Sequence, residues 1–306
     1  MGRLNDQIGR MWPIELDEFA HQIGANRLLT QGPGGNISYK DGNQLWIKAS
    51  GTHLKDALDK QIFVGLDLLE TRMNIQNEIE NFPNRFGDIE NGLRSSIETS
   101  MHAQIDAPYV AHVHSVGSVS MSILLDQSRA IQAASRFCKV SYAQYVRPGI
   151  GLARAVREVV EPDSRAVLLG NHGLTVWGDS ASECMDIIEN LEKIWLEEFD
   201  IESAKSPSVN QSWKNVLKEG ILVPDEVVFL GENPFQFNFV SENTPEILSV
   251  FASAKYSESE WIADFVDVLT MIAKNVKNSD NVRYLSDGEI DQLLNWDAEK
   301  FRQSNQ

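Results

Sequence analysis

His112-Val113-His114 closes an apolar run that begins at Tyr109, and a segment of small residues, Ser115 to Ser120, follows it. On an extended strand, residues two apart point to the same face, so both imidazoles can reach one metal ion from one side. Two imidazoles buried side by side repel on protonation unless something ties them together. The pair therefore asks for a strand in the interior and a shared partner at its end.

A strand supplies only two ligands in this way, and a usable metal site needs a third and a fourth from elsewhere. In Gly170-Asn171-His172-Gly173 a histidine follows the apolar run Ala166 to Leu169, so the strand ends where His172 projects. Upstream, Arg94-Ser95-Ser96-Ile97-Glu98 carries two serines that can cap a helix and leave its first N–H groups free for an anion, with Glu98 pointing from the first turn. Each residue alone has a plainer reading, since a lone histidine on an apolar strand is usually a satisfied core or surface residue. The combination is stronger than its parts.

At 306 residues and 42% hydrophobic composition the chain can hold one large domain or two modest ones around a substantial core. A formal charge of −17 argues against a nucleic-acid surface, which needs clustered Lys and Arg. A small phosphorylated substrate is still compatible with it, because helix N-termini, glycine amides and one or two cations suffice to hold a phosphate. No apolar run approaches bilayer length, and Met1 to Met11 lacks the apolar core of a signal peptide. Cys138 and Cys184 form no CxxC pair and are too few for a disulfide framework, which suits a reducing, cytoplasmic compartment.

Read in order, Ile14 to Leu29 has the period of an amphipathic helix, acidic in its first turns. The loop Gln31 to Ser38, containing Gly34-Gly35-Asn36, leads into a hairpin of Ile37 to Lys40 and Gln44 to Lys48 around Asp41-Gly42-Asn43. Gly35 reads either as part of a tight turn or as a place where backbone N–H groups approach a ligand, with the Asn36 side chain donating to it. Ala49-Ser50-Gly51-Thr52 is a second small, hydroxyl-bearing loop; two such loops flanking one hairpin can build a phosphate cradle, with Lys48 adding charge. The pattern then predicts a strand over Gln61 to Asp67, a helix over Leu68 to Phe82 stopped by Pro83, and a surface loop from Pro83 to Gly92. Helices are expected over Ser95 to Ile105, where Glu98 and His102 share a face, and over Val116 to Leu125, Gly151 to Val160 and Ser180 to Ala204. Strands are expected over Arg165 to Leu169 and Leu174 to Trp177.

Lys205 to Asn210 has a linker's composition, and no histidine follows it. Beyond it, Val227 to Leu230 reads as a strand, and Trp261 to Val276 and Asp287 to Gln303 as helices. The chain thus divides into residues 1–204, which carry every candidate site residue, and an extension over 205–306 with no motif of its own.

Taken together, Gly34-Gly35-Asn36-Ile37-Ser38, Lys48-Ala49-Ser50-Gly51, Ser95-Ser96-Ile97-Glu98, His112-Val113-His114 and Asn171-His172-Gly173 resemble, in order, the motifs of the class II aldolase/adducin family, typified by fuculose- and rhamnulose-phosphate aldolases. The resemblance covers roughly Ile14 to Ala204. It implies a three-layer α/β/α fold around a mostly antiparallel central sheet, here with a mainly helical C-terminal extension, and a homotetramer with sites between subunits. It implies His112, His114 and His172 as zinc ligands, and Glu98 as catalytic base and a metal ligand when substrate is absent. Mn2+ and Co2+ are the alternative metals. Gly35, Asn36, Ser50, Gly51, Ser95 and Ser96 are implied as the phosphate pocket of a phosphorylated sugar substrate.

The resemblance implies a lyase that cleaves a phosphorylated ketose or related sugar acid through a zinc-stabilised enediolate, Glu98 moving the proton. Epimerisation, dehydration or decarboxylation on the same site is the alternative, and a non-catalytic adducin-like interaction domain a third. The interval from Glu98 to His112 is several residues shorter than in the fuculose-phosphate enzyme, and the tyrosine that donates a proton there has only Tyr145 as a candidate counterpart.

Overall fold

The computed structural model describes residues 11–89, 92–198, 213–231, 260–276 and 279–296. Seven strands form one sheet: β1 (Asn36–Asp41), β2 (Gln44–Lys48), β3 (Phe63–Asp67), β4 (Tyr109–Val113), β5 (Lys139–Ala143), β6 (Ser164–Leu169) and β7 (Gly173–Gly178). Their order is β3-β2-β1-β4-β7-β6-β5, antiparallel throughout except for the parallel pair β5 and β6. The expected mostly antiparallel sheet is what the chain builds.

All five residues of β4 and all six of β7 are buried, so both faces of the sheet need cover. Strand alternation divides the apolar side chains accordingly. Ala111, Val113, Leu168 and Val176 enter the main core, together with Leu16, Ala20 and Ile23 of α1 (Ile14–Ala25), Val119 of α4 (Val116–Ser122) and Ile188 and Trp195 of α7 (Ala181–Glu198). Val110, Val167, Leu169 and Trp177 enter a second core against Met101 of α3 (Thr99–Gln104) and Leu152 and Val156 of α6 (Ile150–Val159). Parity puts His112 on the face of Val110, the one that α3 helps to cover.

Several element limits differ from the pattern-based ones. The helix expected to reach Phe82 is α2 (Leu68–Gln76); Asn77 caps it and Glu78 turns out of it with φ 59°. The helix expected from Ser95 starts at Thr99, because Ser95 is drawn into an antiparallel bridge with Ala49 and Ser96 donates its N–H to Lys48 O. The helix expected to Leu125 stops at Ser122. α5 (Ser128–Ala134) and β5 had no counterpart in the sequence reading: the one is a short run of small and polar residues, the other a half-buried strand with weak alternation. Ser180 caps α7, its Oγ accepting from the Glu183 N–H at 3.1 Å.

The extension contributes α8 (Trp213–Glu219), α9 (Pro224–Leu230), α10 (Glu260–Val276) and α11 (Asp287–Leu294). The strand expected over Val227 to Leu230 is the second half of α9. Pro224 occupies a first-turn position where a missing N–H costs nothing, and Asp225 and Glu226 follow it beside the positive end of the helix dipole. The run is apolar on all sides because it packs both ways, Val228 and Phe229 into the main core and Val227 against Leu285 and Leu293. Val216, Leu222, Phe265 and Leu269 share that main core with α1 and α7. The linker expected over Lys205 to Asn210, the end of α7's predicted span at Ala204 and the predicted terminal residues to Gln303 lie outside the described residues. No described helix is long and apolar enough to cross a membrane.

Candidate metal centre

Three histidines meet at one end of the sheet. His112 sits in mid-sheet, level with Asn36 on β1 and Thr175 on β7, and antiparallel pairing turns all three side chains to one face. His114 follows just past the end of β4, its backbone N–H held by Leu29 O. His172 lies in the turn between β6 and β7, after Asn171, which adopts the left-handed conformation (φ 52°). All three rings are buried, with centroids 4.7 to 5.2 Å apart and ligand atoms within 4.8 Å of one another.

Glu98, at the N-cap position of α3, is the carboxylate in the group. Its Oε2 is 3.6 Å from His112 Nε2 and its Oε1 3.6 Å from His172 Nε2, and Asn36 Nδ2 donates to Oε2 at 2.6 Å. Burial opposes its ionisation, but His112, His172, Asn36 and His114 together outweigh that and hold the carboxyl down at about 2. Burial also drives His112 well below the ordinary imidazole value, against the pull of Glu98. Neutral imidazole is the metal-binding form.

The hydrogen-bond partners of the rings assign their tautomers. His112 Nδ1 is 3.1 Å from Leu174 O, a pure acceptor, and His114 Nδ1 is 2.8 Å from the Asp225 carboxylate. Both Nδ1 atoms therefore carry hydrogen, and in neutral rings both Nε2 atoms present bare lone pairs, only 2.9 Å apart. Two acceptors at that distance repel unless a cation lies between them. Nitrogen ligands at about 2.0–2.1 Å from a tetrahedral divalent ion stand about 3.3 Å from one another. Three imidazole nitrogens within 4.8 Å, the nearest pair 2.9 Å apart, are thus a donor set that a small divalent cation can share.

A narrow cavity opens beside the histidines, lined by Gly35, Asn36, Lys48, Ser50, Gly51, Ser96, Glu98, His114 and His172 among others. Asn36 Oδ1, Ser50 Oγ and Glu98 Oε1 are buried there without a hydrogen-bond partner among the described residues. Lys48 Nζ donates to Pro33 O at 3.0 Å at its edge. Gly35 has φ 67°, and a Cβ there would stand 2.8 Å from His112 O. Its absence of a side chain thus lets the glycine loop lie on the metal strand. Ser95 faces a second cavity of about 900 Å3, lined also by Phe82, Leu93 and Trp296, which meets the first at Ser50, Ser96 and Ile97.

Two expectations need correction. The serines do not leave a helix N-terminus open to an anion: Ser96 Oγ accepts from Glu98 N–H at 3.2 Å and Ser95 is tied to Ala49. His102 shares α3 with Glu98 but points away, its Nδ1 2.8 Å from Ser38 Oγ; burial, with Lys40 adding to it against Glu98, depresses it to about 3. Tyr145 packs with Ile221, Val227, Leu285 and Leu293 beneath Arg283, does not line the narrow cavity, and burial raises its hydroxyl pKa.

Thr175, whose Oγ1 is 3.0 Å from His112 Nδ1, and Asp225 were missed by reading the chain. The register of β4 with β7 brings in the first. The second comes from a stretch without histidine, and only tertiary packing carries it to His114.

The family model described as "Class II Aldolase and Adducin N-terminal domain" matches residues 15–196, more than half of the chain. An "Uncharacterized oxidoreductase YuxG" of Bacillus subtilis is 28% identical over 187 residues, 56% of this chain but only 27% of that protein. The L-fuculose phosphate aldolase of Methanococcus maripaludis is 27% identical over 191 residues, 59% of this chain and 94% of that one. Among solved structures, the N-terminal class II aldolase domain of a conserved protein from Thermoplasma acidophilum superposes with a TM-score of 0.50 at 24% identity, over 61% of this chain and 92% of the other. That likeness is one of fold, and the family match spans all three histidines and Glu98. With the family model matching residues 15–196, a span that includes the buried triad of imidazoles and all seven strands of the sheet, the chain belongs to the class II aldolase and adducin family.

Proposed function

We propose that this protein is a divalent-metal-dependent lyase, with zinc resident on His112, His114 and His172, that cleaves a carbon–carbon bond in a phosphorylated ketose or related sugar acid. The observation that carries the reading is the meeting of three buried imidazoles with a carboxylate held ionised, beside one cavity in which Asn36 Oδ1 and Ser50 Oγ are buried without a hydrogen-bond partner among the described residues. A divalent ion bound there supplies Lewis-acid stabilisation of negative charge developing on oxygens beside the breaking bond. Glu98 is assigned the proton transfer: it faces the cavity, it is ionised at neutral pH, and Asn36 keeps one of its oxygens engaged while the other stays open. Gly35, Asn36, Ser50, Gly51, Ser95 and Ser96 are assigned to the phosphate, with Lys48 adjacent. For all of these but Ser95, support comes from their place in the lining of the same cavity.

The same reading takes the protein as a homotetramer in the cytoplasm. Leu69 and Met73, four apart on α2 and both exposed, form an apolar face of the kind an assembly covers. The free thiols of Cys138 and Cys184 suit a reducing compartment.

Metal content of the purified protein by plasma mass spectrometry, beside a His112→Ala, His114→Ala double variant, tests the proposal. About one zinc per chain, lost in the variant, is expected, with aldehyde released from a phosphorylated ketose in a substrate screen. Absence of stoichiometric metal in protein never exposed to chelator overturns it. Metal with an epimerised, dehydrated or decarboxylated product instead of an aldehyde replaces the lyase step and keeps the site.

A further inference from the structure

The extension reaches the histidine cluster at two points. Asp225, in the first turn of α9, is buried and places Oδ2 2.8 Å from His114 Nδ1. Asn171, next to His172, donates through Nδ2 to Leu222 O at 2.9 Å and Arg283 O at 2.7 Å, and its Oδ1 accepts from Arg283 Nη1 at 2.8 Å.

The turn that presents Asp225 is itself fixed. Leu222 N donates to Glu226 Oε2 at 2.8 Å, Leu285 N donates to Ile221 O at 2.9 Å, and Arg283 N donates to Ile123 O at 2.7 Å, at the end of α4. The Asp225 carboxylate therefore sits on a clamped helix start, and it meets the ring nitrogen of His114 that faces away from the other histidines.

From this geometry we infer that Asp225 is a positioning residue of the metal centre, by which the C-terminal extension completes a site otherwise built from residues before 199. An ionised carboxylate only accepts hydrogen bonds, so it fixes the proton of His114 on Nδ1 and leaves the Nε2 lone pair aimed at His112 and His172. It also makes the imidazole a stronger donor to a cation, as carboxylates behind metal-bound histidines do. The inference rests on the metal reading above and adds to it that divalent-ion affinity depends on a residue of the extension.

The test is competition of Zn2+ between the full-length, metal-stripped protein and a chromogenic chelator, for the unaltered protein, Asp225→Asn and Asp225→Ala, together with the visible absorption of the Co2+-loaded forms. Circular dichroism and the unfolding midpoint of the metal-free proteins report whether each variant folds. Asp225→Ala is expected to weaken Zn2+ binding about 10–100-fold and to shift the Co2+ bands. Asp225→Asn, whose amide oxygen still accepts from Nδ1–H, is expected to lie between the two. Affinity of folded Asp225→Ala within about twofold of the unaltered protein overturns the inference and leaves the metal reading intact. Should Asp225→Ala not fold, Asp225→Asn decides: weakening beyond about threefold supports the inference and equality overturns it. Failure of the unaltered protein to bind Zn2+ overturns the metal reading and the inference with it.

Discussion

Asn36 on β1 and Glu98 at the head of α3, 62 residues apart, are joined by a 2.6 Å hydrogen bond that sets the carboxylate against His112. The bond is one of the interactions that hold Glu98 at about 2 despite complete burial. In metal-free Asn36→Ala the Glu98 titration is expected to move up toward the ordinary carboxylate range, and in Asn36→Asp further, since a second negative charge replaces a donor. Carboxyl-carbon NMR of glutamate-labelled protein reads this directly. An unmoved titration in both variants would show that the histidines alone keep the acid ionised.

Glu226 gives stability an unusual slope with pH. Burial raises its carboxyl to about 8, against the lowering effect of the Leu222 and Val223 N–H groups, whereas in the unfolded chain it titrates near 4.5. Between those two values the folded protein keeps a proton that the unfolded chain has released, so this group's contribution to stability declines as pH rises through the window and is level above it. The full difference is at most about 5 kcal/mol. Glu226→Gln should remove the slope, so that urea unfolding at about pH 5 and about pH 8 separates the two proteins mainly at the higher pH. Parallel dependence in both would rule the group out as its source.

Asn171 combines a left-handed backbone with hydrogen bonds to Leu222 and Arg283, and both features matter separately. Asn171→Gly keeps the backbone without strain and loses the bonds, which should cost about 2–4 kcal/mol by leaving buried groups unsatisfied. Asn171→Val adds the cost of φ 52° for a β-branched residue and should be less stable still. Hydrogen exchange should show faster opening of 221–230 in the glycine variant; protection equal to that of the unaltered protein would mean that apolar packing alone holds α9.

Gly35→Ala should hurt the site more than an exposed glycine would. Its φ is 67°, and the new Cβ would meet Thr30 Cγ2 at 2.6 Å and His112 O at 2.8 Å. Strain plus displacement of β4 should destabilise the protein by about 1–3 kcal/mol and weaken Zn2+ binding. Gly42→Ala, also at positive φ (53°) but with open space around it, is the control for strain without contact. Equal effects of the two on Zn2+ binding would remove the argument from close approach.

His112, His114, His172 and Glu98 were legible in the chain because each sits in a local signal. A period of two on an apolar strand aims two imidazoles one way, a glycine after an apolar run marks where a third emerges, and small capping residues mark a helix start. α9 was not legible in this way. Val227-Val228-Phe229-Leu230 is apolar in every direction, and four such residues do not distinguish a buried strand from a buried helix turn. Ser95 was misread for a related reason: two serines before a helix look like caps until Ala49 offers one of them a strand partner.

Local pattern was enough for the strands other than β5, for the three histidines and for the acid, because alternation on a strand and a helix start are each decided by neighbours a few residues away. The antiparallel arrangement of the sheet came from the family resemblance. What holds those groups in place came only with the packed chain. Thr175 reaches His112 through the register of β4 and β7, Asn36 reaches Glu98 across two elements, and Asp225 reaches His114 because α9 docks on the main core. Such contacts depend on which surfaces meet, and residues distant in sequence carry no periodicity that records their meeting.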